Sequence, residues 1–179
     1  MECVLRPVVG ISACLSGERV RYDGRDKHVS WLQAGFWGGI VFVTLCPEVE
    51  CGLGVPRPPM RLEGDATQPR LVVIDTGMDL TARLESWARR RCRELERGGL
   101  SGFIFKARSP SCGVSGVDLF DAHGRVHGHV SGLFVRVVRA HFPGLPVAEA
   151  ESLRDRAARE EFLVAVQRYA RMGTATGSG

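Results

Sequence analysis

Three stretches of this chain share one plan, in which an apolar, β-rich run leads into a cysteine flanked by turn-forming residues. Pro7 to Ala13 (PVVGISA) reaches Cys14 and then Ser16-Gly17. Gly39 to Leu45 (GIVFVTL) ends at Cys46-Pro47, and Gly102 to Ala107 (GFIFKA) runs into SPSCG, which carries Cys112. Continuous hydrophobic runs of this length are what strands of a parallel sheet covered on both faces look like. In an open parallel sheet the loops that follow the strands' carboxyl ends share one edge. The pattern therefore predicts that Cys14, Cys46 and Cys112, far apart in sequence, meet in space.

The rest of the chain supplies the layers around such a sheet. Residues 28 to 37 are long enough for a short crossover helix. Residues 51 to 70 are rich in Gly and Pro and read as an ordered, functional surface loop. A strand is expected over Leu71 to Asp75. A helix follows from about Leu80 to Arg97, with Leu84, Trp87, Ala88, Cys92 and Leu95 on one stripe and Gly98-Gly99 as its stop. Two more helices are expected over residues 130 to 142 and Ser152 to Arg171. Strands alternating with helices point to an α/β fold, Rossmann-like, with a mainly parallel sheet flanked by helices. The predicted organisation is one domain over residues 1–172 and a disordered tail over 173–179 (GTATGSG).

Composition narrows the class. With 44% hydrophobic and 25% charged residues the chain resembles an average globular domain. No apolar run approaches the roughly 18 residues of a spanning helix, and MECVLRPVVGIS lacks a long apolar signal region, so a cytoplasmic protein without a membrane partner is expected. The formal charge of +4 does not by itself imply nucleic acid, because the arginines of 83–97 and 154–171 are interleaved with glutamates as on solvated helix faces. Six cysteines in a reducing compartment argue against a disulfide scaffold and turn attention to metal or redox chemistry.

Cysteine is often simply a small buried hydrophobe, and that plain alternative applies to all six. It suits Cys92, on a helix stripe, and Cys3, in the N-terminal segment. Cys14, Cys46 and Cys112 differ, since each sits in a turn (ACLSG, LCPEVE, SPSCG) whose backbone amides can bond to sulfur, and thiolates ligate soft metal centres. Cys51, five residues past Cys46, stays open between the two readings. HGRVHGH, with His123, His127 and His129, has no common zinc spacing and reads as a polar loop, and His28 stands apart from it. Glu48 taken alone is a loop carboxylate or a helix N-terminal charge, and Ser109 and Ser111 are turn formers beside Pro110.

Three blocks, ISACLSGERVRYDG, CPEVECGLGVPRPPMRL and FIFKARSPSCG, resemble the signature of the domain-of-unknown-function 523 family, whose best-understood members are thiouracil desulfidases. The resemblance runs in order over roughly residues 8 to 170. It implies a Rossmann-like sheet and a [4Fe-4S] cluster held by Cys14, Cys46 and Cys112, one iron being left open as a Lewis acid. It further implies sulfide release from a thiolated nucleobase such as 2- or 4-thiouracil. Glu48 then matches the family's acidic residue, and Ser109, three residues before Cys112, its active-site serine. Ser111 keeps its turn-forming reading, and Asp23 and Lys106 are weaker rim candidates. Sulfur transfer to or from a nucleic-acid base is one alternative, and a non-enzymatic cluster or zinc protein is another. Neither oligomeric state nor the natural substrate follows from the sequence.

Overall fold

The computed structural model describes residues 6–33 and 35–175. Its centre is a four-stranded, wholly parallel sheet in the order β2-β1-β5-β8, formed by β1 (Val8–Ser12), β2 (Val41–Leu45), β5 (Leu100–Phe105) and β8 (Val147–Glu149). The three apolar runs are thus neighbours, with β1 in the middle, Ser12 beside Leu45 and Ile11 beside Ile104. All six residues of β5 are buried, which explains why its sequence shows no polar alternation.

Alternate residues of β5 serve two cores. Phe103 and Phe105 stack at 4.0 Å between centroids and meet Phe134 edge-on, on the side where α2 (Thr81–Arg97) and α3 (Leu133–His141) pack. Ile104 joins Val9, Ile11, Phe162 and Val166 in a separate cluster against α4 (Arg156–Ala175). Gly102 lets α4 approach β5, because a Cβ there would lie 2.6 Å from Val166. The buried stripe of α2 is the predicted one: Leu84, Trp87, Ala88, Cys92 and Leu95. Cys92 is fully buried in it, while Cys3 lies outside the described residues.

A second sheet, which the sequence reading did not anticipate, has the order β4-β3-β6-β7. Here β3 (Met60–Gly64) pairs antiparallel with β4 (Pro69–Val73) and parallel with β6 (Val117–Phe120), and β6 forms a hairpin with β7 (Val126–Val130). The segment 51–70 is therefore only partly loop: it includes all of β3 and the start of β4, with a turn between them. HGRVHGH is the turn and second strand of a hairpin. Asp121 accepts the N–H groups of His123 and Arg125 in the turn, and His129 pairs with Asp118 across the ladder at 3.2 Å. The crossover helix expected over 28–37 is a single 3₁₀ turn, Ser30–Gln33. Its apolar residues still reach the core: Trp31 and Phe36 pack on Trp37, which meets Phe162.

The whole forms one α/β domain. Its last helix extends to Ala175, into the segment read as a tail, and residues 176–179 lie outside the described residues. No described helix is long and apolar enough to cross a membrane.

Candidate functional site

The parallel sheet sends the loops after β1, β2 and β5 to the same edge. They enclose a cavity of about 350 Å³, and Cys14, Cys46 and Cys112 all line it. The volume falls in the range of small-ligand pockets. Cys14 sits in a 3₁₀ turn, Ala13–Ser16, closed by Gly17 at a φ of 99°. Cys46 precedes the short helix α1 (Pro47–Glu50), and its N–H donates to the Glu50 carboxylate at 3.2 Å. Arg91 of α2, 3.4 Å from Glu50, ties that turn to the body of the domain.

The Cys112 turn is held from both ends. The Ser109 hydroxyl oxygen accepts the N–H groups of Ser111 (3.2 Å) and Cys112 (3.1 Å). On the other side, the free N–H groups at the start of α3 donate to the turn's carbonyls, Leu133 to Pro110 and Phe134 to Ser111, both at 3.0 Å. This docking needs Gly132, where a Cβ would stand 2.6 Å from the Ser111 carbonyl.

The three thiols feel one another. Burial pushes Cys14 up to about 11, and the neighbouring Cys46 adds to the rise. Burial likewise raises Cys46. Cys112 is driven well above the ordinary thiol range, by burial first, with Glu48, Cys46 and Cys14 contributing and the Ser12 hydroxyl opposing. A soft cation supplies the charge that lets such thiols ionise, so a metal centre is the partner this donor set suits. The described residues contain no group of three His, Cys, Asp or Glu placed to hold a single metal ion. The three cysteines instead share the wall of one cavity, whose volume leaves room for a cluster. Neither the histidines of HGRVHGH nor His28 lines the cavity.

Glu48 also lines the cavity and is almost fully buried, with 9% of its surface exposed. Its Oε2 accepts Arg57 Nε at 2.8 Å and lies 2.6 Å from Arg57 Nη2, while Oε1 accepts the Ser111 hydroxyl at 2.9 Å. A buried carboxylate survives only with such partners. Ser111, read from sequence as a turn former alone, is fully buried and serves Glu48 as well. Arg57 was missed altogether. The available signal was an arginine fixed inside the Pro-rich block GLGVPRPP, a poor place for a freely solvated side chain.

Of the remaining candidates, Ser109 and Lys106 line the cavity. Asp23 does not; it faces Arg21 at 3.8 Å and closes a turn through the Arg25 N–H. Cys51 lies outside the lining, with its thiol 3.3 Å from the Glu48 carbonyl and its side chain packed on the larger core.

Fold and site together define an α/β protein with three thiols and one clamped carboxylate around a small-ligand cavity. A family model described as 2-thiouracil desulfurase matches residues 9–150, and the chain belongs to that family. Among solved structures it is similar to a [4Fe-4S]-dependent thiouracil desulfidase, TudS, with 31% identity and a TM-score of 0.68, over 90% of this chain and 98% of that one. No curated protein sequence matches it.

Proposed function

We propose that this protein is an iron–sulfur-dependent desulfidase that converts a thiocarbonyl nucleobase, such as 2- or 4-thiouracil, into its oxo counterpart and sulfide. The observation that carries this reading is the joint presence of Cys14, Cys46, Cys112 and Glu48 on the wall of one cavity. The solved relative's [4Fe-4S] dependence and the family's thiouracil chemistry supply the class. Cys14, Cys46 and Cys112 would hold the cluster. When bound by these three thiolates, the cluster would supply Lewis-acid chemistry able to polarise a thiocarbonyl and take up its sulfur.

The chain's own residues then handle water and protons. Glu48, held in place by Arg57 and Ser111, takes a proton from the water that adds to the thiocarbonyl carbon. Arg57 and Ser111 leave Glu48 little rotational freedom, so the acceptor atom is fixed before substrate arrives. Ser109 spends its oxygen lone pairs on two backbone N–H groups, so its hydroxyl proton remains for a ring nitrogen or oxygen of the substrate. The carbon–sulfur bond breaks, oxygen from water stays on the ring, and sulfur departs as hydrosulfide.

Turnover of 2-thiouracil in ¹⁸O-labelled water tests this scheme. The expected result is one labelled oxygen in uracil for each sulfide released, with turnover lost in Glu48→Gln. Unlabelled uracil, or an unimpaired Glu48→Gln enzyme, refutes the assigned water chemistry.

A further inference from the structure

Four residues with permanent or near-permanent positive charge line the cavity, and three are already engaged. Arg57 holds Glu48. Lys106 lies 3.5 Å from Glu151 and donates to the Ala107 carbonyl at 2.6 Å. Arg21 faces Asp23 and lies over the Tyr22 ring. The fourth, Arg108, is exposed, and its guanidinium has no hydrogen-bond or ion-pair partner among the described residues.

Arg108 is also the one described non-glycine residue with a left-handed backbone, at a φ of 56°. That conformation is unfavourable for most residues with a Cβ, and glycine, or to a lesser degree asparagine, would adopt it more readily. The guanidinium of an arginine held there gains no hydrogen bond or ion pair among the described residues in return. Strain of this kind, on a residue that lines a cavity, is where a ligand contact is to be sought.

We propose that Arg108 donates to the ring carbonyl oxygen that a thiouracil carries in addition to its thiocarbonyl, so that the enzyme selects oxo-substituted thiopyrimidines over bare pyrimidine thiones. The assignment rests on the desulfidase reading above. Adding water to the thiocarbonyl carbon puts the electron pair of that bond on sulfur and makes the carbon tetrahedral. The lone pair of the ring nitrogen between the two groups, no longer shared with the thiocarbonyl, then delocalises more fully onto that oxygen. A guanidinium stays protonated throughout and bonds an oxygen strongly as its charge grows.

The test compares kcat/KM for 2-thiouracil and for pyrimidine-2-thione, which lacks the carbonyl, in the reconstituted wild type, Arg108→Met and Arg108→Lys. All three side chains leave Cβ as an unbranched methylene, so the backbone strain is common to them. The intrinsic reactivities of the two thiones cancel when the ratio is compared between proteins. The expected outcome is a preference for 2-thiouracil that falls about tenfold in Arg108→Met, the scale of one charged hydrogen bond. Arg108→Lys should fall between, and activity on pyrimidine-2-thione should be unchanged. Equal losses on both substrates, or an unchanged ratio in both variants, overturn the assignment while leaving the desulfidase reading intact. A wild type loaded with iron but inert on both thiones removes that reading, and this one with it.

Discussion

Arg57 approaches Glu48 through two nitrogens aimed at one carboxylate oxygen, Nε at 2.8 Å and Nη2 at 2.6 Å, and the two side chains are only 6% and 12% exposed. The pair joins the Pro-rich loop to the turn that follows β2, on the wall of the cavity. Removing one member strands a buried charge. Arg57→Gln should destabilise the metal-free protein by about 3–5 kcal/mol in urea unfolding. Arg57→Gln combined with Glu48→Gln should cost less than the two single changes added together. Additive losses, or an Arg57→Gln protein as stable as the wild type, contradict the clamp.

Gly132 gives a purely steric prediction. A methyl group there meets the Ser111 carbonyl at 2.6 Å and the Cys112 nitrogen at 2.9 Å, both backbone atoms that cannot swing aside. Gly132→Ala should cost about 1–3 kcal/mol and lower iron loading by displacing Cys112. Gly128→Ala, where nothing lies within 4 Å, serves as the comparison and should load iron normally. Equal iron contents in the two variants contradict the docking of α3 onto the cysteine turn.

Cys51 separates from the other three by position. Because it lies off the cavity wall, Cys51→Ala should retain full iron content after reconstitution, measured side by side with Cys14→Ala, which should not. Iron lost to the same extent in both would make Cys51 a ligand.

A pH-dependent contribution to stability comes from Asp79. Its carboxylate is held below the usual range by the Thr81 hydroxyl, helped by the Thr81 N–H at 2.9 Å. The folded pKa is lowered, so the stabilisation is complete above the unfolded value of about 3.9 and fades as pH falls through the folded one. With the side chain 42% exposed, the effect should be only about 0.5 kcal/mol. The difference in Tm between wild type and Asp79→Ala should be present at pH 6 and shrink on acidification toward pH 3. A difference that grows on acidification has the wrong sign.

How much of this was legible in the sequence follows from where each residue finds its partners. β1 and β5 could be read because central strands of a parallel sheet demand unbroken apolar runs, and β2, an edge strand with only Leu45 buried, because its run is apolar all the same; the cysteines could be read because they close those runs. Strand β3 escaped because Leu62 is its one fully buried residue, and β7 because none of its five residues is. The parallel pairing of β3 comes from distant chain, Leu62 with Leu119, so no local periodicity announces it. The segment 28–37 has the length of a short helix, but Gly35, at a φ of 62°, and the glycines that follow let the chain fold its tryptophans inward without one. At the site, Cys14, Cys46, Cys112, Glu48 and Ser109 were nameable from motifs. Ser111 and Arg57 were not, since their role lies in a carboxylate 63 positions away for the first and across a Pro-rich loop for the second.

The central claim is that Cys14, Cys46 and Cys112 together hold the cluster on which turnover depends. The most direct test is to reconstitute the protein without oxygen and measure iron, acid-labile sulfide and sulfide release from 2- and 4-thiouracil, in the wild type and in Cys112→Ala. The account predicts about four irons per chain, turnover of at least one thiouracil, and loss of both in the variant. A wild type that takes up no iron, or a Cys112→Ala protein that keeps its iron and its turnover, contradicts it.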